Sequence, residues 1–440
     1  MGRPWCFTVF GNKIMRIPTF GLVALVGCQS LFLWPDTVCS DQGNSPVDSQ
    51  VLEELADPSL GAFVRIVVDA NPRYRAAQAA LEASKSNASA AGRPLYNPEL
   101  AADYENAVDQ RWEVGIGQTF DWTGKREARL AVATSDRNAM EAQFLATRRE
   151  LAVELLSGLT QYQTGVQRET LAAERVQVMQ DFTDLARRRF EAGDLNQVET
   201  DLANLALMDA KIQRATAAAK LAEARQAVRN IAQNATPDQW PSIDSKLPFI
   251  TAYNDPESTV LALPEVQVAQ RRVDAANALV ELRERERKPD PTVQVRGGRE
   301  ADSTLVGVNL SIPLYIRNSY KYEVTAAMAE RDQVQQLADD LMRRAYSRYL
   351  SATERYQLSR DAWQDWQQTG QFSLQRQGDL LRRLWEAGEI STTDFLVQVQ
   401  QTLDTRENAL DLELAMWNAW FEWLAASGQV DKWLGQGGAL

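Results

Sequence analysis

Two kinds of hydrophobic pattern alternate along the chain. From about Thr123 to Phe190 and from about Asn318 to Trp385, apolar residues return at steps of three and four with charges between them. Met140, Phe144, Leu151 and Leu155 mark the first run; Val334, Leu337, Leu341 and Ala345 mark the second. This is the period of helices that pair as in coiled coils. No proline occurs between Glu99 and Thr236 or after Pro313. Each run therefore predicts a single helix, about 100 Å long at ~1.5 Å per residue.

The second pattern has period two. In "RWEVGIGQTF", Arg111 to Phe120, one face carries Trp112, Val114, Ile116 and Phe120, interrupted by Gln118, and the other carries Glu113, two glycines and Thr119. In "TLVGVNLSI", Thr304 to Ile312, Val306, Val308, Leu310 and Ile312 lie opposite Asn309 and Ser311. Each predicted strand follows a partner across a short polar loop, "LAADYENAV" from Leu100 and "TVQVRGGRE" from Thr292. The alternation fits a half-buried soluble sheet as well as a membrane barrel, and the lengths suit the ~9–11 residues of a tilted membrane strand. Four strands fall short of the ~8 needed to close a membrane barrel, so a barrel here requires several chains.

The elements fall into two matching series. "RRRFEAGDLNQVETDL", Arg187 to Leu202, returns as "RRLWEAGEISTTDFLV", Arg382 to Val397. Pro72 answers Pro264, Asn97-Pro98 answers Asp290-Pro291, Phe120 answers Ile312, and Gly193 answers Gly388. The predicted plan is an N-terminal segment at 41–70, then a first repeat at 71–234 with a strand pair at 100–120 and a tip turn at 191–194. A Pro- and Asp-rich linker at 235–256 comes next. A second repeat spans 257–430, with a strand pair at 292–312 and a tip turn at 386–389, and a tail covers 431–440. The fold class is mainly α with a small β part.

Composition narrows the chemistry. The 440 residues carry a formal charge of −12 and no histidine. Residues 1 to 28 hold Arg3, Lys13 and Arg16 and no acid, so their removal shifts −12 to −15. An acidic body argues against a nucleic-acid partner. The absence of histidine excludes Ser-His-Asp, Cys-His and His-zinc chemistries. Cys6, Cys28 and Cys39 all precede the body, which has neither a disulfide framework nor a metal-ligand set, and no cofactor is called for. The eight methionines are scattered and form no copper-binding ladder.

The N-terminus reads as an export signal within residues 1–40: three basic residues, then "IPTFGLVALVG" from Ile17 to Gly27. "LVGC", ending at Cys28, resembles a bacterial lipobox and makes Cys28 a candidate for acylation, although "LFLW" stands after it where a polar tether is usual. Cleavage after "VCS", Val38 to Ser40, is the competing reading. An uncleaved span fits poorly, because Pro18, Gly21 and Gly27 interrupt the run.

From about Asp57 to Gly428 the organisation resembles the TolC-type outer-membrane efflux proteins. "QTFDWTGKREAR", Gln118 to Arg129, and "VGVNLSIPLYIRN", Val306 to Asn318, resemble their heavy-metal branch, the cobalt-zinc-cadmium and copper systems. The resemblance implies a homotrimer with a twelve-stranded barrel in outer-membrane lipid and a helical tube crossing the periplasm. It also implies a periplasmic adaptor and an inner-membrane pump of the resistance-nodulation-division type. The chain would then be no enzyme but the passive exit duct of a three-part pump, carrying heavy-metal cations, or alternatively drugs and other organic compounds. A periplasmic coiled-coil scaffold is the rival from another class; it leaves the paired strands unexplained. A hydrolase using Glu199 and Asp394 as acid and base lacks an evident pocket.

The resemblance also assigns residues. The tip turns Glu191, Ala192, Gly193, Asp194 and Glu386, Ala387, Gly388, Glu389 would meet the adaptor. Six residues after each tip glycine stand Glu199 and Asp394, which would ring a closed periplasmic aperture and attract cations. The local alternative is a first-turn acid complementing its helix N-terminus. Glu113, Thr119, Asn309 and Ser311 are candidates for the barrel lumen, and Trp112, Phe120, Trp122 and Tyr315 for an aromatic girdle. Trp417, Trp420, Phe421 and Trp423 read as packing inside the helical body.

Overall fold

The computed structural model describes residues 55–106, 110–233, 235–243, 248–250 and 255–435, and the expectations for residues 1–40, Cys28 included, lie outside the described residues. Helices α1 (Pro58–Ala70) and α2 (Pro72–Ala91) precede strands β1 (Glu99–Asn106) and β2 (Gln110–Thr119). Then come α3 (Lys125–Glu191) and α4 (Gln197–Ile231). The chain continues through α5 (Pro256–Leu261), α6 (Pro264–Glu286), β3 (Thr292–Glu300) and β4 (Ser303–Ser311). It ends with α7 (Lys321–Asp365), α8 (Gln371–Glu386), α9 (Thr392–Ser427) and α10 (Val430–Trp433).

Local chemistry sets the helix starts. Asp57, Asn71 and Asp255 each accept a first-turn amide hydrogen bond, and a proline stands after each of them at the first helical position. Asn71 is buried and also donates its Nδ2 to the Ile231 carbonyl at 3.3 Å, tying the start of α2 to the end of α4.

The main core lies around the C-terminal half of α9. Trp420, Phe421 and Trp423 are buried there with Leu60 and Val64 of α1, Leu151 and Leu155 of α3, and Tyr356 of α7. Trp420 stacks on Trp423 at 4.9 Å and meets Tyr356 at 4.8 Å. Burying aromatic rings of this size supplies much of the apolar driving force where the helices converge. The aromatic run thus packs inside the helical body. Residues 433 and 434 join it: Trp433 and Leu434 are buried, and the Ala56 amide bonds the Trp433 carbonyl at 2.8 Å.

The four strands form one antiparallel sheet in the order β1-β2-β3-β4. The two hairpins are joined by β2 and β3, which pair along their length from Arg111↔Glu300 to Thr119↔Thr292. The register sorts residues cleanly. One face aligns Tyr104, Trp112 and Arg299, then Ala102, Val114, Gly297 and Val306, then Leu100, Ile116, Val295 and Val308. This mostly apolar face is open: Val306 is 81% exposed and Val308 71%. The other face holds Gly115, Gly117, Gly298 and Gly307 with Arg111, Glu113 and Arg296, and Glu113 is only 7% exposed. A soluble sheet buries its apolar face; this one does the reverse.

Sheet and helices are clasped together by "FDWTGK". Asp121 accepts the amides of Lys125 at 2.9 Å and Arg126 at 2.6 Å, capping α3. The buried Lys125 ammonium reaches across to Asp290 at 3.0 Å and to the Lys288 carbonyl at 2.5 Å. Tyr96 donates to the same Asp290 carboxylate at 2.9 Å. Burial, and after it that bond, pushes the Tyr96 phenol up to about 12. Trp122 Nε1 donates to the Pro289 carbonyl at 2.8 Å, and Arg285 donates to that of Gly124 at 2.7 Å.

One element departs from expectation. The helix predicted from Asn318 to Trp385 is interrupted at Trp366–Gly370 by a π-turn. A single extra residue rotates everything after it by about 100°. Trp363 and Trp366 thereby face the main core, while Leu381 and Trp385 face a separate cluster at the tip. The Trp366 ring lies over Gly370, where an added Cβ would come within 2.2 Å of it.

Substitutions at the sheet glycines and at the clasp test this packing. A Cβ on Gly298 would sit 2.0 Å from the Trp112 carbonyl oxygen, whereas one on Gly297 meets nothing closer than 3.8 Å. Gly298→Ala is expected to cost at least about 3 kcal/mol and Gly297→Ala less than about 1 kcal/mol, measured by thermal melting of the purified chain. For the clasp, Asp290→Ala and Lys125→Ala should each cost about 3–5 kcal/mol by stranding a buried charge. The double variant should recover part of that loss, and simple additivity would contradict the pairing.

Candidate functional site

The two tips are built alike. α3 ends in a turn where Gly193 has φ +84°, and α8 in one where Gly388 has φ +77°, backbone that glycine adopts without strain. Asp194 N bonds Arg189 O at 2.8 Å and Gly193 N bonds Phe190 O at 3.0 Å; Glu389 N to Leu384 O and Gly388 N to Trp385 O match them at 2.9 and 3.0 Å. Both are Schellman closures. Glu191, Ala192, Gly193, Asp194, Ala387, Gly388 and Glu389 are all exposed, and the Glu386 side chain lies outside the described residues.

Both candidate gate acids occupy the third position of the helix after the turn. Glu199 forms a capping box, with its amide donating to Asn196 Oδ1 at 3.0 Å and its Oε2 accepting the Asn196 amide at 3.1 Å. Asp394 donates its amide to Ser391 Oγ at 3.1 Å and accepts that hydroxyl on Oδ2 at 2.6 Å. Both acids therefore complement their helix N-termini. Asp394 is exposed; Glu199 is half-buried.

Beneath the tips the hairpins share a small core. Phe182, Trp385 and Phe395 lie with ring centroids 4.5–5.5 Å apart. Arg189 crosses between the tips, donating to the Trp385 carbonyl at 3.1 Å with its guanidinium 5.3 Å from the indole centre. The repeat alone does not single out Arg189. The signal lies where the two repeats first differ in charge: Arg189 in "RRRF" stands where "RRLW" has Leu384.

On the sheet, the register brings the four lumen candidates to one face. Thr119 pairs with Thr292, which pairs with Ser311; Gln294 lies between Gly117 and Asn309; Glu113 lies opposite Gly298. The Thr119 and Thr292 hydroxyls are 2.8 Å apart. Sequence reasoning missed Arg296, which sits at the middle of this face between Gly115 and Gly307. Its guanidinium lies 3.5 Å from the buried Glu113 carboxylate, which also accepts from Arg111 Nε at 2.9 Å. The glycines leave room for this arm, since a Cβ at Gly307 would meet Arg296 Nε at 3.2 Å. Among the girdle candidates, Trp112, Phe120 and Trp122 are exposed and Tyr315 is half-buried.

Among the described residues no group of three or more His, Cys, Asp or Glu side chains could hold a metal ion, and no helix is long and apolar enough to cross a membrane. The strands, by contrast, carry an exposed apolar face.

Comparison with known proteins agrees with this arrangement. The family described as outer membrane efflux protein matches residues 66–232. The cobalt-zinc-cadmium resistance protein CzcC of Cupriavidus metallidurans is 25% identical over 389 residues, covering 86% of this chain and 92% of that protein. The nickel-cobalt-cadmium resistance protein NccC of Alcaligenes xylosoxydans xylosoxydans is 26% identical over 267 residues, covering 58% of this chain and 60% of that protein. The fold is shared with the Campylobacter jejuni CmeC outer membrane channel, with a TM-score of 0.71 at 16% identity over 84% of this chain and 85% of that one. Across residues 66–232 the chain is thus similar to the outer membrane efflux protein family, and over most of its length it is similar to a heavy-metal resistance protein and shares the fold of outer-membrane channels, which are not enzymes.

Proposed function

We propose that three copies of the chain form the exit duct of a tripartite pump that exports heavy-metal cations such as cobalt, zinc, cadmium or copper. The observation that carries this reading is the sheet, with its apolar face open, most of its glycines and charges on the other face, and strands β1 and β4 ending it with unpaired edges among the described residues. Three such sheets joined edge to edge supply twelve strands, enough to close a barrel with the polar face inside. The helical body offers a matching surface for assembly. Val198, Leu205 and Ile212 recur at seven-residue steps along α4 and are exposed, as are Leu337 and Leu350 on α7. The duct is passive and draws on a periplasmic adaptor, docked on the exposed tip turns, and an inner-membrane pump of the resistance-nodulation-division type.

The cargo is inferred from the metals named for CzcC and NccC. The lack of a tight ligand set among the described residues suits conduction, because a channel that bound its ion strongly would hold it. Asp394, repeated three times around the axis with Glu199 nearby, would form a cation-attracting aperture that opens when the hairpins spread. In that reading the same carboxylates cap their helices and face the opening.

Planar-bilayer recording tests the duct and its gate. The purified chain should give discrete, cation-preferring steps, and Asp394→Asn with Glu199→Gln should change open probability and weaken cation preference. Because Ser391 and Asn196 keep their capping oxygens, those substitutions should cost less than about 1 kcal/mol of stability. Steps that ignore the substitutions would leave the acids as caps only. For the cargo, co-expression with a metal-efflux pump and adaptor in a host lacking its own channel should raise tolerance to cobalt, zinc or cadmium. Tolerance raised only to drugs and dyes would overturn the metal assignment.

A further inference from the structure

A groove of about 920 Å³ runs between α3, α8 and α9, apart from the tips and the sheet. Behind the π-turn α8 rests on α9 and leaves space toward α3, until the aromatic cluster at the tip closes it. Trp363, Trp366 and Glu413 line one end; Leu381, Arg382 and Phe395 line the other. The size is that of a site for a drug-sized molecule, roughly 300–1,000 Å³.

The charges along this groove are unevenly satisfied. Glu174 is neutralised by Arg406 at 2.8 Å. Glu413 is half-buried, and among the described residues no side chain pairs with it or bonds to it. Burial pushes its carboxyl above the usual carboxylate range. Arg382, the other lining cation, is exposed at the opposite end. A lone carboxylate in a groove that two indoles and several leucines also line suits a cation that carries its own hydrophobic body. A hydrated divalent ion finds too few oxygen ligands here.

We infer that this groove binds a small amphiphilic organic cation, with its charged nitrogen against Glu413 between Trp363 and Trp366 and its apolar part along Leu374, Leu403 and Leu410. The inference is independent of the ion the duct carries and of the gate at the tips.

Site-directed protection tests it. An added Cβ at Gly378, in the groove wall, meets nothing within 4 Å, so Gly378→Cys is tolerated and open to reagent. The full chain in detergent is labelled with a maleimide with and without rhodamine 6G, a lipophilic cation; the parent without Gly378→Cys corrects for the native cysteines. Rhodamine 6G should slow labelling at least about fivefold, and adding Glu413→Gln should raise the dye concentration required about tenfold. Micelle partitioning is common to both proteins and drops out of the comparison. Glu413→Gln removes no partner and should melt with the parent; Trp366→Leu, as a second variant, should also weaken protection. Equal protection by the anionic sulforhodamine B, unchanged protection in Glu413→Gln, or no protection at all would each overturn the inference.

Discussion

An open sheet edge cannot face hydrocarbon. Each backbone N–H or C=O left unpaired there costs several kcal/mol, since no water is present to replace the missing partner. This chain supplies four strands with an apolar face turned outward and two free edges. In water that face is an aggregation hazard; in lipid the edges are. The proposed barrel answers both, with lipid against the apolar face and neighbouring copies joined at the edges. The glycines answer the same constraint. Gly298 lets β3 lie close to β2, and Gly115 and Gly307 leave space for the Arg296 arm on the polar face, where Glu113 balances it.

Joining a membrane sheet to a long helical body demands a stiff junction, and the Lys125–Asp290 clasp provides it. The pair is buried, supported by Tyr96, and spans residues 165 positions apart in the chain, so the two hairpins are locked to both series of helices at one point. At the opposite end the hairpins are tied by Arg189 and the Phe182, Trp385 and Phe395 rings. Between these ends lies the π-turn, which sets the phase of α8 and lines the groove with Trp366 and Gln367. The body is thus fastened at the clasp, at the main core around α9 and at the tips, with the groove lying between the last two.

Much of this architecture is legible in the chain itself. Period-two alternation places Trp112, Val114 and Ile116 opposite Glu113, and the tip glycines mark the two reversals. The alternation cannot say which face is buried, because a soluble and a membrane strand share one period; the exposure of Val306 and Val308 separates them. The pairing of β2 with β3 is also hidden, since it joins residues nearly two hundred positions apart and leaves no local signal. Arg296 reads as an ordinary strand charge until its glycine neighbours are placed beside it. The π-turn escapes for a different reason: one extra residue leaves helical composition unchanged and only rotates the rest of the helix. Glu199 and Asp394 show the limit from the other side. Sequence locates them correctly at the helix starts, and the structure gives both a capping role that is complete without any gate.

The central claim is that the sheet's apolar face meets lipid and its glycine face meets water. Single spin labels at residues 305 to 311, read in outer membranes with molecular oxygen as the lipid-soluble relaxant and a nickel chelate as the aqueous one, test it residue by residue. The account predicts a strict period of two, with 306, 308 and 310 relaxed by oxygen and 307, 309 and 311 by the chelate. Uniform access to the chelate at every position would contradict it, and the sheet would then be a water-exposed surface of a periplasmic protein.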